Sequence, residues 1–207
     1  MKKTKTNIWW IRRDIRLHDN SALQAALQES PNVIPLFIFD PKLWNTSNAS
    51  QTKLAFLAAN LKALNDQLES LGSKLIIRYG HPREEMEKFF HQFQVDAIFA
   101  EADFTPYARQ RDAKIANHFP LKLAGGSTVI NPEAVKKIDG TPYQVYTPFM
   151  RQWKSIYESA PTLVFDSPSQ IATPKEISSP AIKDIPYHPE HTGFPAGEEE
   201  ALRRLDQ

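Results

Sequence analysis

A chain of 207 residues that is 41% hydrophobic and 24% charged has ordinary globular composition, enough for one substantial core and a tail. Lys+Arg 25 against Asp+Glu 24 leaves a formal +1, so there is no global basic field of the kind that grips nucleic acid through its phosphates. The absence of cysteine excludes disulfides, thiolate metal sites and cysteine nucleophiles and agrees with a cytoplasmic location, while no signal-peptide apolar region or membrane-spanning run is expected.

From Asn7 to about Leu123, short β-like runs alternate with amphipathic stretches. The first run, Ile8–Ile11, breaks into the charged turn Arg12-Arg13-Asp14-Ile15-Arg16-Leu17-His18-Asp19-Asn20. Trp9 and Trp10 alternate across that strand, so one faces each side of the sheet, and core packing suits both. Asn20 or Ser21 can cap the first helix. Strands are expected at Val33–Phe39, Leu75–Tyr79, Ala97–Ala100 and Leu121–Leu123, with Trp44 in the loop after the second. Between them Leu54, Leu57, Ala58, Leu61, Leu64, Leu68 and Leu71 recur at helical spacing, as do Met86, Phe89, Phe90 and Phe93. Gly72 follows the long helix and Pro82 opens the next, where its missing N–H matters little. This alternation predicts an α/β fold: a Rossmann-like doubly wound five-stranded parallel sheet with helices on both faces.

After Gly126 the pattern loosens. Trp153 with Phe149, Ile156 and Tyr157 reads as the buried stripe of a helix. Between Pro161 and Pro195 lie seven of the sixteen prolines, which predicts an extended proline-rich linker unable to pair as a central strand. Glu198–Gln207 begins like a helix with too little length to bury a face. The expected division is residues 1–160 as the α/β domain and 161–207 as a linker and the doorway to an absent second domain.

In a doubly wound sheet the order reverses beside the first strand, so the turns after strands one and four flank a crevice at the carboxyl edge. Those turns are Arg12-Arg13-Asp14 and Glu101-Ala102-Asp103-Phe104-Thr105-Pro106-Tyr107, joined by Ile38-Phe39-Asp40-Pro41 from strand two. Cationic, carboxylate and aromatic walls suit a flat polar chromophore or a nucleotide. An ion-pair network tying the loops together fits the same residues. No Gly-x-Gly-x-x-Gly and no Gly-x-x-x-x-Gly-Lys-Ser/Thr occurs, which argues against a Rossmann dehydrogenase or P-loop enzyme. His188 and His191 lack the further ligands a zinc site needs, and there is no Gly-x-Ser-x-Gly elbow, so neither a metal site nor a hydrolytic nucleophile is expected in this chain.

Five collinear stretches carry a resemblance. They are Ile11-Arg12-Arg13-Asp14-Ile15-Arg16-Leu17-His18-Asp19-Asn20-Ser21-Ala22-Leu23, Phe37-Ile38-Phe39-Asp40-Pro41, Pro106-Tyr107-Ala108-Arg109-Gln110-Arg111-Asp112, Tyr143-Gln144-Val145-Tyr146-Thr147-Pro148-Phe149, and Phe194-Pro195-Ala196-Gly197-Glu198-Glu199-Glu200-Ala201. Together they resemble the N-terminal half of the DNA photolyase/cryptochrome family, class I photolyases above all. The resemblance implies a two-domain light-driven lyase. Its larger helical domain, missing here, binds FAD and receives damaged DNA, while the N-terminal domain carries an antenna chromophore. This chain alone is then inactive, its partners being that helical domain in cis and, for the full-length protein, damaged DNA, with no membrane. The exposed inter-domain surface implies a possible dimer of the fragment. A cryptochrome-type blue-light signalling module is the alternative, and a free-standing nucleotide-binding domain a more distant one.

Folate-binding relatives place a His in the loop after strand two and an Asn-Glu pair before the Arg-x-Arg-Asp run, where this chain has Ser47, Tyr107 and Ala108. The resemblance therefore favours 8-hydroxydeazaflavin or FMN over methenyltetrahydrofolate. For such a tricyclic ring it implies polar contacts from Arg12 and Arg13, an apolar wall from Ile38 and Phe39, ring or ribityl hydrogen bonds from Asp40 and Asp103, and Arg109 for an anionic group.

Overall fold

The computed structural model describes residues 5–44, 50–159, 163–180 and 194–207. Strands and helices alternate along it: β1 (Thr6–Ile11), α1 (Ser21–Glu29), β2 (Asn32–Phe39), the short α2 (Pro41–Trp44), α3 (Gln51–Ser70), β3 (Ile76–Tyr79), α4 (Pro82–Gln92), β4 (Ala97–Ala102), α5 (Pro106–Ala116) and β5 (Leu121–Gly126). The five strands are parallel and ordered β3-β2-β1-β4-β5. The chain steps outward from β1 to β3, then returns to β4 beside β1. The connections after β1 and β4 therefore diverge and open a crevice at the carboxyl edge.

The two-residue period of β1 divides the core. Trp9 and Ile11 pack with Leu23 of α1 and Leu61, Leu64 and Leu68 of α3 on one face. Ile8 and Trp10 pack with Met86 and Phe89 of α4 and Ile115 of α5 on the other. Burying each such large side chain is worth about 1.5–3 kcal/mol. Asn20 caps α1, its side chain accepting from the Leu23 amide at 2.9 Å. The loop expected at Trp44 begins instead as the helical turn α2, because the Asp40 carboxylate accepts from the Lys42 amide at 3.0 Å and its carbonyl from the Leu43 amide.

Pro35 lies inside β2, opposite Trp9. Amides two residues apart point the same way, and that of Val33 donates outward to Ala172 at 2.8 Å. The missing donor of Pro35 therefore faces outward too. Pairing with β3 begins only at Leu36 opposite Ile76, so no ladder bond is lost.

Ala172 belongs to a strap, residues 163–180, part of the proline-rich segment. It forms no helix or strand of its own, yet Ala172 makes a parallel bridge to Asn32 and the segment is not a passive spacer. Ile171 and Ile177 are fully buried, one in each half of the core. Thr173 Oγ1 donates to the Val33 carbonyl at 2.8 Å, and Ser179 Oγ accepts from the Ile77 amide at 2.9 Å, covering the outer edge of β3. Residues 181–193, with His188 and His191, lie outside the described residues.

Helix α6 (Tyr146–Ser159) forms where Trp153, Phe149, Ile156 and Tyr157 predict it, but its apolar stripe is not buried. Phe149 and Tyr157 are exposed, Trp153 and Ile156 are half-buried, and Trp153 stacks on Tyr157 at 5.2 Å, so the stripe is only partly covered among the described residues. Helix α7 (Glu198–Leu205) likewise has no buried residue. No described helix is long and apolar enough to cross a membrane.

Candidate functional site

The turn after β1 is folded around a buried carboxylate. Asp14 accepts from the Arg12 amide at 3.0 Å through one oxygen, and from Trp9 Nε1 at 3.3 Å and Asn20 Nδ2 at 3.2 Å through the other. This turns Arg12 toward α5. Its Nη1 meets both oxygens of Asp112 at 2.8 Å, its Nη2 donates to the Glu101 carbonyl, and its guanidinium lies over Trp10 at 4.9 Å. Arg111 joins the cluster, pairing with Asp112 through Nε at 2.9 Å and stacking between Trp10 and Tyr107. Burial, then the nearby Arg111, pull the Arg12 pKa below its ordinary value against the opposing pull of Asp112.

Above this cluster lies a cavity of about 600 Å³, within the size range of small-molecule sites. Arg12, Arg13, Ile38, Asp40 and Asp103 all line it. Phe39 and Arg109 do not. The Phe39 ring stacks on Tyr79 at 5.1 Å and packs edge-on against Phe37, and it is Phe37 that reaches the cavity. Arg109 turns outward, its Nε donating to the Phe104 carbonyl at 3.2 Å and its Nη2 pairing with Glu133. The helical period accounts for this: Tyr107 and Arg111, four apart, share the face of α5 that lines the cavity, and Arg109 between them cannot. That i, i+4 spacing is readable in the sequence. Leu43 and Leu57, which complete the apolar wall, carry no such signal because their placement depends on α2 and α3 packing over the sheet edge.

Polar groups lining the cavity have distinct states. The Tyr107 hydroxyl donates to Asp40, and burial together with that bond pushes its pKa well above the ordinary value, so it stays a donor. Burial alone would raise the Asp103 carboxyl; the Thr105 amide at 3.0 Å, the Thr105 hydroxyl and Arg13 outweigh it and hold the group below its usual value. Asp103 is therefore an ionised acceptor. Among the described residues no group of three or more His, Asp or Glu side chains is placed to hold a metal ion.

Behind the cavity, Glu101 accepts from Arg16 Nη2 at 2.8 Å. Burial, then Asp14, push its carboxyl up to about 7 against the opposing effect of Arg16. In the unfolded chain it ionises near 4.5, so the folded protein binds the extra proton between the two values. The stability this contributes is complete below pH 4.5 and is lost as pH rises through 7. Urea unfolding from pH 4 to 8 should show that decline, and Glu101→Gln should flatten it. A Gln variant whose curve runs parallel to the wild type would refute the assignment.

The family model for DNA photolyase matches residues 7–169. The chain belongs to the DNA photolyase family. A deoxyribodipyrimidine photo-lyase from a Synechococcus strain is 31% identical over 217 residues, a match covering 97% of this chain and 44% of that protein. Cryptochrome-1 from Rattus norvegicus is 23% identical, over 97% of this chain and 37% of its own length. Among solved structures, a bacterial class III photolyase from Agrobacterium tumefaciens superposes with a TM-score of 0.83 at 25% identity, covering all of this chain and 45% of that one. The photolyase fold described here thus spans less than half the length of each of these relatives, and corresponds to their N-terminal α/β part.

Proposed function

We propose that this chain is the light-harvesting domain of a deoxyribodipyrimidine photolyase whose full-length form repairs cyclobutane pyrimidine dimers in DNA with reduced FAD. The observation that carries the reading is the cavity at the switch point, which sets the ionised Asp103, the Asp40–Tyr107 pair and Arg13 around an apolar wall of Ile38, Phe37, Leu43 and Leu57. This donor set fits a flat heteroaromatic ring with polar edges, as in 8-hydroxydeazaflavin or FMN. When bound, such a group supplies absorption of near-ultraviolet or blue light. The protein's own residues fix its orientation and exclude water; FAD binding and repair belong to residues outside this chain.

Folate fits less well. Ala108, at a position where folate-binding relatives carry part of an Asn-Glu pair, is fully buried with its amide donating to the capping hydroxyl of Thr105, and Tyr107 is engaged by Asp40. Ser47 lies outside the described residues.

Thermal-shift and absorption measurements test the reading. Deazaflavin or FMN at a hundredfold over Kd should stabilise the chain by about 2.7 kcal/mol and acquire a protein-perturbed spectrum. Stabilisation by ATP with none by deazaflavin, FMN or folate would sink it, as would light-driven repair of thymine dimers by these 207 residues alone. The similarity to cryptochromes supports a second reading, a blue-light signalling module; a dimer-repair assay on the full-length gene product separates the two.

A further inference from the structure

β1 sends two neighbouring tryptophans to opposite faces of the sheet, and the charges set against them are opposite in sign. Trp9, fully buried, donates through Nε1 to the Asp14 carboxylate at 3.3 Å and does not line the ring cavity. Trp10 does line it. Two guanidinium groups lie over the Trp10 ring, that of Arg12 at 4.9 Å and that of Arg111 at 4.8 Å from its centre. The arrangement works against the fold, because the two cations share the one carboxylate of Asp112 and Arg111 pulls the Arg12 pKa down. An apolar side chain at position 111 would pack on Trp10 without that strain, since buried ion clusters are often replaceable by well-packed hydrophobic residues at no loss of stability.

A ring that has absorbed light holds a vacancy in its lower orbital, and an electron-rich side chain in contact with it can fill that vacancy. Indole is among the most easily oxidised of side chains. One electron would pass from Trp10 to the excited ring, leaving the indole oxidised by one electron and the ring reduced by one, and its return would release the absorbed energy as heat. A positive charge beside the indole opposes the first transfer by Coulomb repulsion with the radical cation, and in a desolvated site water screens that repulsion little. Asp112 offsets one of the two guanidinium charges and leaves the other. The second electron-rich ring of the wall, Tyr107, is shielded less: Arg111 stands 5.7 Å from its centre, and its hydroxyl donates to Asp40, a base for its proton.

We propose that Arg12 and Arg111 keep Trp10 an electronically silent wall of the cavity, suppressing electron transfer from its indole to an excited ring bound there. The inference rests on the antenna reading above and goes beyond it, giving the buried arginines a part in the fate of absorbed light and not in ligand affinity.

The excited-state lifetime of FMN or 8-hydroxydeazaflavin bound to the whole chain is the measurement. Trp10→Phe alone should leave it unchanged within about 1.5-fold, because a silent donor is not missed. Arg111→Gln removes one cation while Asp112 stays paired with Arg12, and should shorten the lifetime at least about twofold. Arg111→Lys, which keeps the charge, should shorten it less, and Arg111→Gln/Trp10→Phe should restore it. The same set is repeated with Tyr107→Phe, so that quenching by the phenol does not mask the effect. A lifetime that Trp10→Phe lengthens overturns the proposal, and that result does not depend on any Arg111 variant folding. An unchanged lifetime in Arg111→Gln, or a shortening that persists once the indole is gone, overturns it too, each with the antenna reading intact. Failure of both pigments to bind overturns this inference, and failure of folate as well overturns the antenna reading beneath it.

Discussion

Replacing Asp112 with alanine is expected to lower the unfolding free energy by about 3–5 kcal/mol. Its carboxylate, with a side chain only 7% exposed, is shared by Arg12 and Arg111, whose side chains are 7% and 11% exposed. Removing the anion strands two guanidinium groups side by side in a desolvated cluster, and Arg111 Nη2 already has no hydrogen-bond partner among the described residues. Neither guanidinium has another carboxylate at hydrogen-bond distance among the described residues. Glu101 lends Arg12 only its carbonyl, and the Glu101 carboxylate is turned to Arg16. Asp112→Asn, which keeps an acceptor but not the charge, should fall between the wild type and alanine. Arg109→Ala, also on α5, breaks only an exposed pair with Glu133 and should change stability by no more than about 1 kcal/mol. Urea denaturation of the three variants gives the comparison; a loss below about 1 kcal/mol for Asp112→Ala would show that the buried cluster is not a clamp.

A chain ended at residue 160 is expected not to unfold cooperatively near the temperature of the full chain. Truncating the strap removes Ile171 and Ile177 from opposite halves of the core, and large-to-small changes at such sites cost about 2–5 kcal/mol each. It also strips the amides of Val33 and Ile77 of their acceptors and bares the edge of β3. The combined loss rivals the entire stability of an ordinary domain, about 5–15 kcal/mol. The double variant Ile171→Ala/Ile177→Ala separates packing from chain length and should lose most of that stability with every backbone contact still available. A 1–160 chain with an unchanged, sharp thermal transition would show the strap to be an ornament.

The sheet was legible because its signals are local. Ile8–Ile11, Val33–Phe39 and Ala97–Ala100 are apolar runs too short for helices, and Asn20, Gly72 and Pro82 punctuate the helices between them. The switch-point crevice followed from topology, since parallel strands in this order leave one place for it. The rest depended on non-local packing. Whether Arg12 serves a ligand or the fold turns on Asp112, a hundred residues away, and a charged turn reads the same either way. The burial of Ile171 and Ile177 was hidden by the prolines around them, which report extended backbone but not what the intervening side chains touch. The stripe of α6 misleads for the opposite reason: amphipathicity states which face seeks cover, not whether cover is present in the same chain.

The internal neutralisation of Arg12 has an optical consequence. Electronic transitions that move charge respond to the fixed charges around a chromophore, which is how a protein tunes a cofactor's electronics. Because Asp112 and the Glu101 carbonyl hold the Arg12 guanidinium within the protein, the field across the cavity is left chiefly to Asp40, Asp103 and Arg13, borne on loops at the strand ends, and to Arg111 of α5, which shares Asp112 with Arg12. For a pigment bound as proposed above, substitutions in those loops are expected to retune absorption while the clamp beneath keeps the sheet edge in place.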